Sequence, residues 1–246
     1  MTRRIAIMNY KGGTGKTSTV INLAHGLSRL GKKVLVIDTD PQGSVANYMG
    51  VSFQHSLYDI LSGQLAFEDV VVNARPLLDV VPSNERLFAA EISLAKLDQR
   101  ERFLSAYFGA VEGYDFVLVD CAPSFNLLNQ NAILFSEEIL VPVSMEYASL
   151  SGVRQLVHNL QLVGKLFGHQ VKITRVVPTF VDQRYNKTKV VLESLTRTFP
   201  NRVSYGIRSC ISLSESPGYR QTVFEYDPES NGASDFQKLS EEVLHD

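Results

Sequence analysis

Cysteine is scarce in this chain. The only two, Cys121 and Cys210, stand far apart and form no C-x-x-C pair, which argues against a zinc site or a disulfide framework and for ordinary reduced thiols. Long apolar runs are lacking too. Nothing approaches membrane-spanning length, and the opening MTRRIAIMN is too short between its arginines and Asn9 to hold a secretory core, so a cytoplasmic protein is expected. Low-complexity tracts and internal repeats are absent. With 44% hydrophobic and 20% charged residues the composition excludes a disordered or fibrous chain, and 246 residues suffice for one α/β domain spanning 1–246. A strong overall charge is also missing, since the net value is -2, but the distribution is uneven. Residues 151–220 hold eleven Lys/Arg against Asp182, Glu193 and Glu215. That asymmetry hints at a polyanionic partner, although charged helix faces are most often simply solvated.

What is present begins with NYKGGTGKTS, residues 9–18. The phosphate-loop pattern G-x-x-x-x-G-K-S/T calls for glycine where this chain has Tyr10, and a second lysine, Lys11, follows it. Gly12, Gly13 and Gly15 allow the backbone of the loop, with Thr14 and Ser18, to point successive N–H groups at phosphate oxygens. The helix that follows adds its N-terminal dipole. Lys16 supplies a point charge to the terminal phosphates and Thr17 a hydroxyl for Mg²⁺.

Three aspartates complete the constellation. Asp120 closes the apolar strand FVLVD, where a carboxylate reaches Mg²⁺; alone it would read as a turn or cap residue, and the loop tips the balance toward the metal. Asp38 and Asp40, in IDTDPQGS, point the same way in extended chain, so one of them can orient a water attacking the γ-phosphate. The competing reading is a capping pair before the turn at 41–43.

Between these motifs, strand-like and helix-like segments alternate. RRIAIMN, VLVI at 34–37, LLDVVPS, YDFVLVDCAP, EEILVPVSMEY and VKITRVVPTF read as strands, with a short RVSYGI near the end. Val20, Leu23, Ala24, Leu27 and Leu30 mark a helix stopping at Gly31; other helices are expected near 84–109, in SLSGVRQLVHNLQLVGKLF, in NKTKVVLESLTRTF and within GASDFQKLSEEVLHD. The predicted fold class is therefore α/β: a doubly wound, mostly parallel sheet with helices on both faces, its ligand at the carboxyl ends of the strands.

KGGTGKTS, VLVIDTDPQGS, FVLVDCAPS, VPVSMEYASLSGVRQLV and LSESPGYRQTVFEYDPESNGA together resemble the ParA/MinD family of deviant Walker ATPases, and within it the small ParA/Soj branch. The resemblance spans nearly the whole chain. It implies ATP and Mg²⁺ as cofactors and an ATP-dependent homodimer in which Lys11 reaches the partner's phosphates while Lys16 acts in its own subunit. It further implies Asp40 as the water-positioning residue, Asp38 as support for Mg²⁺ and phosphate, Asp120 as the metal-side aspartate, and Pro178 and Pro217 as adenine contacts.

The same resemblance implies slow hydrolysis stimulated by a ParB-like or other adaptor, non-specific DNA binding on the nucleoid, and segregation or positioning of a chromosome, plasmid or protein assembly. The acidic C-terminus SDFQKLSEEVLHD argues against a membrane helix. Arg184 is the best match to a family arginine, with Lys187, Lys189, Arg202, Arg208 and Arg220 as further DNA candidates. Where many relatives read IPRNVRLSEAP, this chain reads IRSCISLSESP, so Ser209 and Ser212 replace two arginines. The alternative is a metabolic ATP-dependent ligase or amidase on the same superfold. No additional acid/base group stands out for it: His25, His55, His158, His169 and His245 are scattered.

Overall fold

A computed structural model describes residues 2–95 and 98–246. Strand β1 (Arg3–Ile7) leads through the glycine-rich loop into α1 (Lys16–Arg29), and β2 (Val34–Asp38) follows. Three short helices come next, α2 (Ser44–Met49), α3 (Leu57–Leu61) and α4 (Phe67–Val70), then β3 (Val72–Arg75) and β4 (Leu78–Val81). Helices α5 (Leu87–Leu94) and α6 (Phe103–Phe108) precede β5 (Phe116–Asp120), and α7 (Leu127–Phe135) precedes β6 (Glu138–Ser144). The long α8 (Ser149–Phe167) returns to β7 (Lys172–Thr179), after which come α9 (Asn186–Thr198), α10 (Ile211–Glu215), α11 (Val223–Tyr226) and α12 (Asn231–His245).

The strands form one sheet in the order β3-β4-β2-β5-β1-β6-β7, parallel throughout except for the β3–β4 pair. The doubly wound expectation holds. Its cause is visible in β2 and β5, where every residue is buried, as strands covered on both faces require. Alternate side chains serve opposite layers. Val34, Val36 and Leu118 join α1 and α12 through Leu23, Leu27, Phe236 and Leu239, whereas Leu35, Ile37, Val117 and Val119 join the side held by α7, α8 and α9.

Local chemistry also explains where the sequence pattern misled. The expected helix near 84–109 is divided: Gln99 takes a left-handed φ of 55°, a 3-10 turn follows at Arg100–Arg102, and α6 starts afresh, while residues 96–97 of that stretch lie outside the described residues. RVSYGI makes only one isolated parallel bridge, Val176↔Val203, and the next residue a second, Val181↔Arg208, along the edge of β7. Helix α7, hidden within an apolar run, is capped by the Asn126 side chain, which accepts from the Asn129 N–H at 2.9 Å.

Parallel register sets up the site. Ile7 and Asp38 are both register partners of Asp120, so the carboxyl ends of β1, β2 and β5 finish level, with the phosphate loop leaving from the middle strand's neighbour. Behind Asp40 the turn is held by the Gly43 N–H donating to the Asp40 carbonyl at 3.0 Å. Gly43 has a φ of +61°, and a Cβ there would lie 2.5 Å from the Ser83 carbonyl oxygen. Gly43→Ala is therefore expected to cost ~1–3 kcal/mol of stability. Chemical denaturation reads this directly, and an unchanged midpoint would show that the turn relaxes without strain.

Candidate nucleotide site

The loop is anchored at its entrance. Asn9, fully buried, donates from Nδ2 to the Pro142 carbonyl at 2.8 Å and accepts the Lys11 N–H at 3.0 Å, tying the loop to β6. Tyr10 takes the place where a generic loop has glycine. Its ring packs edge-on to Phe125 with centroids 5.8 Å apart, and its hydroxyl is buried without a hydrogen-bond partner, burial pushing its pKa up to about 12. Tyr10 thus turns inward as an apolar anchor and leaves Lys11 at the mouth of the loop.

Lys11 Nζ donates to Ser149 Oγ at 3.2 Å, and that hydroxyl lies 2.7 Å from Ser144 Oγ. The first turn of α8 is pressed against this corner: a Cβ on Gly152 would stand 2.9 Å from Asn9 Oδ1. On the other side, Thr179 Oγ1 at the end of β7 donates to the Thr14 carbonyl at 2.9 Å. Gly15, with a φ of 82°, turns the chain into α1, whose first residue is Lys16. Lys16 is buried, and that burial lowers its pKa against the pull of Asp120 and Asp40. Thr17 and Ser18 follow in the first turn of the helix.

The aspartates divide their work. Asp38 accepts the Asp40 N–H at 3.0 Å on one oxygen and the Val45 N–H at 3.2 Å on the other, so it organises the turn. Asp40 accepts the Gln42 N–H on Oδ1 at 2.9 Å. Asp120 is different: both carboxylate oxygens are buried and neither has a hydrogen-bond partner. Burial pushes the Asp120 pKa up to about 7 against Thr17 and Lys16, and burial together with Asp120 raises that of Asp38 well above the carboxylate range. Two orphaned oxygens near a hydroxyl are the donor set that a hard divalent cation takes, so Asp120 and Thr17 fit Mg²⁺.

Beside the loop is a cavity of about 340 Å³ whose walls include Gly15, Ser18, Tyr48, Phe180, Cys210 and Pro217. Pro217 is thus part of the wall of this cavity. Pro178 does not line this cavity; its carbonyl accepts the Ile207 N–H at 2.7 Å. Phe180 and Tyr48 were missed by sequence reasoning. The signal for Phe180 was its place directly after a strand end; Tyr48 sits on a short helix with no periodicity to expose it.

The six DNA candidates are distributed over separate places. Arg184 pairs with Asp182 at 2.6 Å and Lys187 with Glu146 at 2.5 Å, both beside Lys11 around a second cavity of about 560 Å³. Lys189 is exposed on α9. Arg202 sits at the opposite end of β7, donating to the Ile173 carbonyl at 2.7 Å. Arg220 adopts a left-handed φ of 57°, packed beside Gly50. Arg208 forks onto Asp235 with a closest contact of 2.7 Å, and the Asp235 side chain is fully buried, which makes Arg208 a structural cation. Ser209 is exposed, and Ser212 Oγ donates to Asp227 at 2.7 Å. Among the described residues no helix is long and apolar enough to cross a membrane.

A family model described as an AAA domain matches residues 2–173. The chain is 36% identical over 249 residues to the sporulation initiation inhibitor protein Soj of Bacillus subtilis, covering 99% of this chain and 98% of that one. It is 34% identical over 250 residues to the chromosome partitioning protein ParA of Caulobacter vibrioides, covering 98% and 94%. Among solved structures, cobyrinic acid a,c-diamide synthase from Mycobacterium smegmatis, with a bound ATP analogue and magnesium, superimposes with a TM-score of 0.86 at 26% identity, covering 100% and 95%.

Two outcomes are expected from this geometry. The raised Asp120 pKa means that the folded chain keeps a proton that the unfolded chain has released, so stability falls as pH rises from about 4 to about 7. Asp120→Asn removes that cost and should stabilise the nucleotide-free protein above pH ~7 by up to about 4 kcal/mol, the gain fading toward pH ~4. Urea titrations at the two ends of that window test it, and a pH-independent difference would sink it. Arg208→Ala should cost ~1–3 kcal/mol, because Asp235 would keep only the Arg208 backbone N–H. Full stability in that variant would release Arg208 for another role.

Proposed function

The chain belongs to the ParA/MinD family of P-loop ATPases, and we propose that within this family it is a dimerising switch that binds ATP and Mg²⁺, binds DNA without regard to sequence, and segregates or positions a cargo. The observation that carries this reading is the placement of Lys11. A second lysine at the mouth of a loop already served by Lys16 answers a need that one nucleotide does not create. Two nucleotides facing each other across a dimer create it, since their phosphates concentrate negative charge that a cation from each subunit offsets. The match to a chromosome partitioning protein over nearly the full chain supports the same reading.

In the proposed cycle, the N–H groups of residues 12–18 and Lys16 hold the phosphates, and Lys11 leaves Ser149 to reach the partner's nucleotide. Thr17 and Asp120, with Asp38 behind them, would hold magnesium, which would offset phosphate charge when bound. Asp40 uses its free carboxylate oxygen to orient the water that adds to the γ-phosphorus as the bond to ADP breaks, releasing phosphate. The base occupies the cavity closed by Pro217 and Phe180. We read residues 1–246 as a single domain. Turnover is slow alone and is stimulated by a ParB-like or other adaptor, which times release from the nucleoid. Lys189 and Arg220, with Arg184 and Lys187 once freed from their carboxylates, supply the DNA contacts; two copies in a dimer double that surface.

A metabolic ligase or amidase is the second reading, favoured by the likeness to the diamide synthase. It is the weaker one, because the identity to the chromosome partitioning protein ParA is higher, 34% against 26%. ATP turnover stimulated by DNA supports the first reading, and turnover that requires a small amidation substrate supports the second.

The Asp40→Ala protein is expected to bind ATP, fail to hydrolyse it and remain dimeric. It should then bind duplex DNA with ATP-Mg²⁺ but not with ADP, with a salt slope of roughly -0.9 per phosphate neutralised. Normal turnover in this variant would remove Asp40 from its role, and a trapped dimer that ignores DNA would remove the nucleoid reading. Lys11→Ala should bind ATP as a monomer by light scattering; an undiminished dimer contradicts the trans-acting lysine.

A further inference from the structure

A third cavity, of about 600 Å³, lies far from the nucleotide. Thr179, at one end of β7, touches the phosphate loop, whereas Lys172 and Ile173, at the other end, line this cavity. The seven-residue step between Lys172 and Thr179 corresponds to about 23 Å of strand. The walls come from the C-terminal half of α8, the start of β7 and the turn after α9. Val157, Leu160 and Phe199 give an apolar floor, and Lys165, Lys172 and Arg202 stand around it, with no Asp or Glu among the described lining residues.

Those three cations stand clear of carboxylates, whereas several others on this chain do not. Arg184, Lys187, Arg175 and Arg208 all pair with carboxylates, while Lys165, Lys172 and Arg202 join none of the ion pairs among the described residues. All three are exposed. The Arg202 guanidinium donates one N–H to the Ile173 carbonyl, which fixes its position at the rim and leaves its other donors free. β7 is the last strand of the sheet on this side, and the bridging segment that covers its edge starts only at Val176, leaving the Lys172 end open.

From this combination we infer that the groove between the ends of α8 and α9 is a docking site for an amphipathic protein segment whose apolar side chains cover Val157, Leu160 and Phe199 and whose carboxylates meet Lys165, Lys172 and Arg202. Charge complementarity selects the acidic segment. The apolar floor selects protein over nucleic acid, since a phosphate backbone would satisfy the cations and leave the floor wet. Its distance from the phosphate loop makes it a tether that holds a partner whether or not nucleotide is bound, independent of the dimerisation proposed above.

The test uses the intact, nucleotide-free chain. Random peptides displayed on phage are selected on the protein, and the enriched sequences are synthesised and measured by fluorescence anisotropy. Enrichment of Asp/Glu beside Leu, Ile or Phe is expected, with affinity falling about tenfold or more in the Lys165→Glu/Lys172→Glu protein and falling also in Leu160→Ala. ATP binding by each variant confirms that it is folded. Enriched peptides without acidic residues, or equal affinity for the double variant, would overturn the inference. So would displacement of the peptides by a short DNA duplex together with an equal loss of DNA affinity in the double variant, which would assign the groove to a nucleic-acid surface.

Discussion

The centre of this structure is an electrostatic problem. Asp38 and Asp120 are register partners on adjacent strands, both fully buried, at the point where three parallel strands end together. Burial raises the pKa of both carboxylates, and the charge of Asp120 raises that of Asp38 further. Asp38 is eased by two backbone N–H groups, Asp120 chiefly by Thr17 and Lys16, and Lys16 is itself pulled toward neutrality by burial. The surrounding architecture keeps this strain in place. Asn9 ties the loop to β6, Thr179 ties it to β7, and Gly43 lets the chain turn close above Ser83. A site held under such tension is poised for a ligand that brings positive charge with its phosphates.

How much of this could be read from the residues depended on range. The loop, the buried strands and Asp40 are local patterns, in which spacing over a few positions determines geometry, and the sheet followed from them. Tyr10 was legible as an exception but not as an anchor, because its partner Phe125 comes from a distant loop. The break at Gln99 was hidden for a different reason. Helix α5 carries apolar Phe88 and Ile92 on its exposed face as well as apolar residues on its buried one, so periodicity had little to report about where it should end.

Charge was the hardest feature to read. Eleven basic residues between 151 and 220 suggested one footprint, yet the partners that neutralise several of them come from elsewhere in the chain. Glu146 is 41 positions from Lys187, and Asp235 is 27 from Arg208. A net count over a window registers cations and is blind to the carboxylates that fold back upon them. Arg208 and Arg202 look alike in the sequence; one is clasped by a buried acid and the other stands free at a rim.

Helix α8 joins two regions that have so far stood apart. Its first turns press Ser149 against Lys11 and Gly152 against Asn9, and its last turns wall the distal groove with Leu160 and Lys165. Nineteen residues of continuous helix make a rod of about 28 Å. Such a rod does not bend easily, so it fixes the spacing between its two ends: a segment seated at the distal groove would stay one helix length from the phosphates whichever nucleotide is there.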